Sequence, residues 1–156
     1  MKKYLLIAVG LFLCLPVHGQ ERSGVVSDVT TWYDAFNKRD PALAQQIMSE
    51  DWIDIPAAPG QPSGRRGVEY ILDDLAKTFP DFTIRPAEIL QDGNKVIVRS
   101  ELTGTQRRPF MGFPAKNRKM TIQTIDIHEF KDGKIIRTWH TEDWLTGLHQ
   151  LGALEK

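Results

Sequence analysis

The fold is decided by FKDGKIIRTWHTED, residues 130–143. An Asp-Gly pair between two β-rich runs is a strong signal for a two-residue hairpin turn. With Asp132 and Gly133 in the turn, Phe130 pairs with Ile135, and every second residue beyond that pair lies on the same face. The stretch therefore predicts a hairpin whose two faces can be assigned residue by residue.

One face of this predicted hairpin mixes large apolar and ionisable side chains, as the wall of a ligand pocket does. Trp139 pairs with Asp126 in this register, and Asp143 pairs with Ile122. His140 falls on the opposite face, where we expect a surface role. The predicted wall carries Met120, Ile122, Thr124, Asp126, His128 and Phe130 from the first strand, with Ile135, Arg137, Trp139, Thr141 and Asp143 from the second.

Residues 1–19 have the pattern of a secretory signal peptide: a basic start, an apolar run and a small residue, Gly19, at the expected cleavage site. Their removal predicts a periplasmic or secreted protein with no membrane segment in its mature form. The apolar run is shorter than the ~20 residues that a membrane span needs. Lipid attachment through Cys14 is disfavoured because Leu13 stands where bacterial lipoproteins carry a small residue.

The remaining residues, 20–156, have the length of one domain with a sizeable core. Losing Lys2 and Lys3 leaves 18 basic residues against 20 acidic ones, so no basic surface for nucleic acid is expected. Cys14 is the only cysteine, which excludes disulfides and thiol catalysis in the mature chain.

The order of the predicted elements indicates the fold class. Apolar periodicity predicts helices over 24–38, 42–49 and 68–79, with Asp40 capping the second, and a last helix beginning at Trp144. Strands are expected at 52–55, 82–90, 95–105, 119–130 and 134–142. Helices followed by strands predict an α+β fold, with N-terminal helices packed on a curved antiparallel sheet around a cone-shaped cavity.

Five short motifs, in this order, resemble the SnoaL-like polyketide cyclases, also called ester cyclases, of the nuclear transport factor 2-like superfamily. They span about 25–154 and are Phe79-Pro-Asp-Phe82, Gly104-Thr105 with Phe110-Met-Gly-Phe-Pro114, Phe130-x-Asp-Gly-Lys-Ile135, Trp139-x-x-x-Asp143 and Gln150-Leu-Gly152. The resemblance implies a cone-shaped nuclear transport factor 2-like barrel that forms a homodimer or higher homo-oligomer and binds a small molecule. It also implies that Asp143 is the acid/base residue of an aldol ring closure that needs no metal or organic cofactor.

Two interpretations of Asp143 follow from the residues alone. Apolar neighbours across the predicted hairpin would desolvate its carboxylate and raise its pKa, as acid/base work near neutrality requires. Aspartate is also a favoured N-cap, and the last predicted helix begins at the next residue. The sequence supports both interpretations equally.

His128 is the second catalytic candidate, because its place on the predicted wall would let it polarise a carbonyl or relay a proton. The alternative is a partly exposed histidine near the open end of the hairpin, paired with Asp126 or Arg137. Metal binding is not supported, since the histidines have no ligand spacing. The substrate-pocket candidates are Trp139, Thr141, Asp126, Ile122, Asp54, Trp52, Tyr33, Gln106 and Phe110.

Two functional hypotheses remain. The first is an exported, cofactor-independent acid/base enzyme of the cyclase, isomerase or lyase type, acting on a largely apolar, carbonyl-bearing molecule. The alternative is a periplasmic protein that binds such a molecule without chemistry. One fold supports both classes, so the site has to decide between them.

Overall fold

The computed structural model describes residues 20–155, so the predicted signal peptide and Cys14 lie outside the described residues. The helices are α1 (Gln20–Lys38), α2 (Pro41–Ile47), α3 (Arg65–Thr78) and α4 (Trp144–Gln150). The strands are β1 (Met48–Ile55), β2 (Thr83–Asp92), β3 (Lys95–Thr105), β4 (Lys119–Lys131) and β5 (Lys134–Glu142). None of the helices in this part of the chain is long and apolar enough to cross a membrane.

The five strands form one sheet in the order β1-β5-β4-β3-β2. The α+β class is confirmed, but the sheet is mixed instead of wholly antiparallel because β1 pairs in parallel with β5. The sheet is also open, with β1 and β2 at its edges, so the barrel that the sequence predicted is not closed. The connection from β1 to β5 runs through most of the chain, which permits the parallel pairing.

Helix α1 packs on one face of the sheet, which we call the inner face. Asn37 fixes its C-terminal end to β2: its side chain donates to the Ile84 carbonyl at 2.9 Å and accepts from the Ile84 amide at 2.8 Å. Trp32 packs against Phe36 and against Trp52 of β1 with tilted rings, whose centroids are 5.4 Å apart in both pairs. The core therefore joins the first helix, the parallel edge strand and the inner face.

The alternation of β4 follows the prediction. Its buried side chains are Met120, Ile122, Thr124, Asp126, His128 and Phe130. The β4 part of the predicted wall is therefore confirmed, together with the buried Ile135 opposite Phe130. Asp126 and His128 face Tyr33 of α1, whereas Met120 and Ile122 face Gly147 of α4.

The register of β5 does not follow the prediction. Phe130 pairs with Ile135 as expected, but Glu129 then pairs with Arg137, so Ile136 is an extra residue in a β-bulge. An extra residue in one strand turns all later side chains of that strand to the other face. Thr138, His140 and Glu142 therefore lie on the inner face, and the predicted assignment of Arg137, Trp139, Thr141 and Asp143 to that face is wrong.

Candidate functional site

A hydrogen-bonded pair of buried polar side chains lies between α1 and β4. The Tyr33 hydroxyl donates to Asp126 Oδ2 at 2.7 Å, and both residues are almost fully buried. Tyr33 follows the core residue Trp32 on α1, and Asp126 belongs to the inner-face alternation of β4. The two residues were separate pocket candidates in the sequence, and the fold brings them into direct contact across 93 residues of chain.

The pair is extended by three further buried groups. The Tyr33 hydroxyl lies 3.2 Å from His128 Nε2, and His128 Nδ1 lies 3.0 Å from the Thr138 hydroxyl oxygen. The Trp52 indole N–H donates to the same oxygen at 3.0 Å. A continuous set of hydrogen bonds thus runs from β1 through β5 and β4 to α1 and ends on Asp126.

Burial sets the protonation of this network. Desolvation raises the pKa of Asp126 to about 6, although the hydrogen bond from Tyr33 opposes the shift. Desolvation lowers the pKa of His128 to about 3, and the positive charge of His140 adds to this effect. Burial and the Asp126 charge raise the pKa of Tyr33 well above 10. At neutral pH the histidine is neutral, and Asp126 is the group that titrates near physiological pH.

His140 stands directly opposite Asp126 on the neighbouring strand. Its Nδ1 lies 2.7 Å from Glu142 Oε1, and its Nε2 lies 3.3 Å from Asp54 Oδ1 and 2.9 Å from the Pro56 carbonyl oxygen. Burial by itself lowers the pKa of His140, but the hydrogen bonds and charges of the two carboxylates raise it to about 11. His140 is therefore a fixed cation beside Asp126, and its predicted surface role is wrong.

Two buried hydroxyl groups complete the polar lining. Ser100 and Thr124 pair with each other on β3 and β4, and Thr124 also pairs with Glu142. Within the described part of the chain, neither hydroxyl makes a hydrogen bond of good geometry, although Ser100 lies near Tyr33. Buried hydroxyls without partners are uncommon in proteins and indicate a place for water or a ligand.

Asp143 does not have the environment that its apolar neighbours predicted. Its side chain accepts from the Thr146 amide at 3.1 Å and caps α4, so the capping interpretation is confirmed. Hydrogen bonds from Thr146 lower the pKa of the exposed Asp143 carboxyl. The predicted rise of that pKa is wrong because the bulge at Ile136 removes Asp143 from the inner face.

Trp139 and Thr141 also leave the predicted wall. Trp139 pairs with Ile127 on the outer face, where Lys95 Nζ and the Arg137 guanidinium lie 5.0 and 5.3 Å from its ring. Thr141 is exposed on the same face. Cation–π contacts of this kind stabilise an aromatic ring at the surface. Trp139 therefore does not line an inner pocket.

Three other pocket candidates make contacts that stabilise the fold: Ile122, Gln106 and Phe110. Ile122 is buried next to Gly147 of α4. The Gln106 amide donates to the carbonyls of Arg108 and Phe113, which fixes the loop after β3. Phe110 packs between the rings of Phe79 and Trp144, at 5.2 and 5.0 Å. These contacts do not join the three residues to the Asp126 network, so they give no support to the predicted pocket roles.

A surface cleft of about 260 Å³ lies on the β1 side of the sheet. It lies between β1 and the loop at 57–64 and is lined in part by Trp52 and Asp54. Gln61 of this loop donates to Asp54 Oδ2 at 2.9 Å, so the loop is tied to the charged cluster around His140. Residues 20–155 contain no group of three side chains placed to hold a metal ion.

Thr138, His140 and Glu142 are the site residues that the sequence did not identify. The local pattern favoured the opposite face, because it placed the large Trp139 side chain inside. Only the pairing of β5 with β1 on one side and β4 on the other reveals the bulge. Asp126, Tyr33, Trp52 and Asp54 were pocket candidates in the sequence, and the structure places them in the hydrogen-bond network or in the charged cluster beside it.

Comparison with known proteins agrees with this fold. A family model described as SnoaL-like polyketide cyclase matches residues 27–151. TsrD from Streptomyces laurentii is 27% identical over 85% of this chain and 98% of its own, with a TM-score of 0.79. A candidate polyketide cyclase from Bacillus cereus is 28% identical over 88% of this chain and 86% of its own, with a TM-score of 0.76.

IdmH, a candidate polyketide cyclase from Streptomyces antibioticus, is 27% identical over 82% of this chain and 98% of its own, with a TM-score of 0.71. The sequence matches no curated protein. The family relationship is therefore shown by the family model, and the shared fold by the solved structures.

Proposed function

This chain belongs to the SnoaL-like polyketide cyclase family, and we propose that it is a cofactor-independent acid/base enzyme of the cyclase, isomerase or lyase type. Its substrate is a small, largely apolar molecule with a carbonyl group that reaches the carboxyl of Asp126. Asp126 is the acid/base residue in this proposal. The observation that carries it is a buried carboxyl with a pKa of about 6, hydrogen-bonded to Tyr33.

A carboxyl that titrates near 6 suits the transfer of a proton at carbon. The ionised Asp126 takes a proton from the carbon next to the carbonyl, and the electrons of that C–H bond move onto the carbonyl oxygen to form an enolate. In a cyclase, the enolate carbon then attacks a second carbonyl of the same molecule. Asp126 returns its proton to the new alkoxide, so the enzyme ends in its starting state.

The surroundings of Asp126 support an anionic intermediate. The positive charge of His140 is held on the adjacent strand, and fixed charges in a site with little water stabilise developing charge strongly. The hydroxyls of Ser100 and Thr124 are buried donors; that of Thr124 has no partner among the described residues, and that of Ser100 lies beside Tyr33. They are suited to hold the enolate oxygen.

This assignment moves the acid/base role from Asp143 to Asp126. Asp143 is exposed and its pKa is lowered, so its carboxylate is a weak base and carries no proton to donate near neutrality. Asp126 has the buried environment and the raised pKa that were expected for Asp143 from the sequence. Export through residues 1–19 and assembly into a homodimer or larger oligomer remain part of the proposal and are supported by the sequence pattern and the family resemblance.

The test is proton exchange at carbon in D₂O, followed by NMR. The probes are 2-tetralone and an aryl 1,3-diketone, which are apolar and lose a proton next to a carbonyl. We expect the wild-type protein to accelerate exchange, and Asp126→Asn to lose at least about 100-fold of that acceleration, the lower end of a general base's contribution.

Asp143→Asn is the matched control, since it makes the same chemical change on the surface, and we expect it to keep its exchange rate within a few-fold. Equal loss in both variants, or loss only in the Asp143 variant, would contradict the assignment. Binding of the probes without exchange, unchanged by Asp126→Asn, would favour the alternative of a periplasmic binding protein.

A further inference from the structure

We infer that the hydrogen bonds from Trp52 to Asp126 run in one direction, hold His128 as the neutral Nε2–H tautomer, and leave Oδ1 as the oxygen of Asp126 that exchanges protons. In this arrangement Trp52, Thr138 and His128 are positioning residues that act through Tyr33. The role of Oδ1 rests on the proposed function. The direction of the hydrogen bonds does not.

The direction begins at Trp52. An indole N–H can only donate, and it donates to the Thr138 hydroxyl oxygen at 3.0 Å. The Thr138 proton is then directed to its other neighbour, His128 Nδ1, also at 3.0 Å. All three residues are buried, so water does not compete for these groups. Nδ1 of His128 is therefore an acceptor.

A neutral imidazole with an accepting Nδ1 carries its proton on Nε2. His128 is fully buried, and its pKa is lowered to about 3, so it carries no second proton at neutral pH. Nε2–H faces the Tyr33 oxygen at 3.2 Å and donates to it. The Tyr33 hydroxyl proton is then directed to Asp126 Oδ2, at 2.7 Å.

The carboxylate of Asp126, at the other end of this chain of hydrogen bonds, requires the same direction of donation. An ionised carboxylate only accepts, so Asp126 requires Tyr33 as a donor. In the reverse arrangement, Trp52 and His128 would both donate to Thr138, the Thr138 proton would have no acceptor, and Asp126 Oδ2 would lose its donor. Leaving buried polar groups without partners is costly, so the two ends select one arrangement.

This arrangement distinguishes the two oxygens of Asp126. Oδ2 is occupied by Tyr33, whereas Oδ1 makes no hydrogen bond to any described residue. When Asp126 is protonated, Tyr33 still donates to Oδ2, because His128 has no lone pair left to accept the Tyr33 proton and the neighbouring Ser100 hydroxyl acts on Tyr33 as a donor, which lowers the pKa of Tyr33. The acidic proton is therefore carried on Oδ1, and the substrate carbon has to approach that oxygen.

The direct test is the tautomer of His128 in the full chain labelled with ¹⁵N-histidine. Two-bond ¹H–¹⁵N spectra separate a protonated ring nitrogen from an accepting one, and a His128→Gln sample identifies the signals. We expect a protonated Nε2 and an accepting Nδ1 at all values between pH 5 and pH 8. An Nδ1–H tautomer, or a histidine that gains a proton in this range, would overturn the inference.

A pair of variants tests the coupling to Asp126. Thr138→Val keeps the size of the side chain and removes the hydroxyl, whereas Thr138→Ser keeps the hydroxyl. Because each hydrogen bond in a chain strengthens the next, we expect the Asp126 titration midpoint, read from the ¹³C carboxyl signal, to rise by about 0.3 pH units in Thr138→Val. Thr138→Ser should keep the wild-type midpoint.

An unchanged midpoint in Thr138→Val, or an equal shift in both variants, would contradict the coupling. If Thr138→Val does not fold, the wild-type tautomer still decides the direction. These measurements do not depend on turnover. An Nε2–H tautomer without probe exchange would therefore leave the hydrogen-bond direction standing while the proposed acid/base function fails.

Discussion

Asp126 and His140 are directly paired on β4 and β5, both on the inner face, so a titrating carboxyl lies beside a fixed imidazolium. The contact exists only because of the bulge at Ile136. In the regular register, Asp126 would face Trp139 and His140 would point outward. The one extra residue in β5 therefore places the charged His140, instead of the aromatic ring of Trp139, opposite Asp126.

We expect Asp126→Asn to stabilise the protein at pH 8. The folded-state pKa of about 6 is above the usual value of 3.8, so the folded state binds this proton more tightly than the unfolded state does. The resulting stability is fully present below about pH 3.8 and is lost as the pH rises through 6. Asparagine avoids that loss, which amounts to at most about 3 kcal/mol.

Urea unfolding of both proteins at pH 8 and below pH 4 measures this effect. The variant should be more stable at pH 8, and the difference should shrink toward zero in acid, where wild-type Asp126 is also neutral. A variant that is no more stable than the wild-type protein at pH 8 would mean that Asp126 is better solvated than its burial indicates.

Tyr33→Phe should raise the pKa of Asp126 above about 6. The Tyr33 hydroxyl stabilises the ionised carboxylate, and phenylalanine removes that hydrogen bond while keeping the ring. The low-pH limb of the exchange rate should therefore move to higher pH. Tyr70→Phe is the control because its hydroxyl binds the Pro59 carbonyl at the surface. A limb that stays in place, or moves equally in the control, would exclude the direct hydrogen bond as its cause.

His140→Gln should flatten the pH dependence of stability between pH 7 and pH 10. The pKa of His140 is raised to about 11 by Asp54 and Glu142, so its contribution is fully present below about pH 6.5 and is lost as the pH rises through 11. Thermal unfolding of wild-type protein should therefore shift to lower temperature in this range more than that of the variant. His149→Gln, in the exposed end of α4, should behave as the wild-type protein does.

Asp143→Ala should lower the unfolding temperature by about 4 °C without changing the exchange rate per folded molecule. The alanine variant loses the cap on α4, whereas Asp143→Asn keeps a side chain that caps well. Calorimetry and the exchange assay measure the two effects separately. A large loss of exchange in folded Asp143→Ala would return the acid/base role to Asp143.

Local sequence signals located most of the elements. The bounds of β3 and β5 agree with the predicted strands, and Asp40 caps α2 as expected, with Pro41 at the first helical turn. These features depend on neighbours a few residues apart, namely turn residues, caps and apolar periodicity. The inner face of β4 was predictable for the same reason, since its alternation is uninterrupted.

The sequence by itself determined the α+β order, the hairpin turn at Asp132-Gly133 and the burial of Asp126. Only the tertiary structure decided the face of β5, because its bulge is set while the strand pairs with β4 on one side and β1 on the other. No local pattern specifies that extra residue, and side-chain size favoured the wrong face. The exposure of Asp143 and the placement of His140 beside Asp126 both follow from this one long-range constraint.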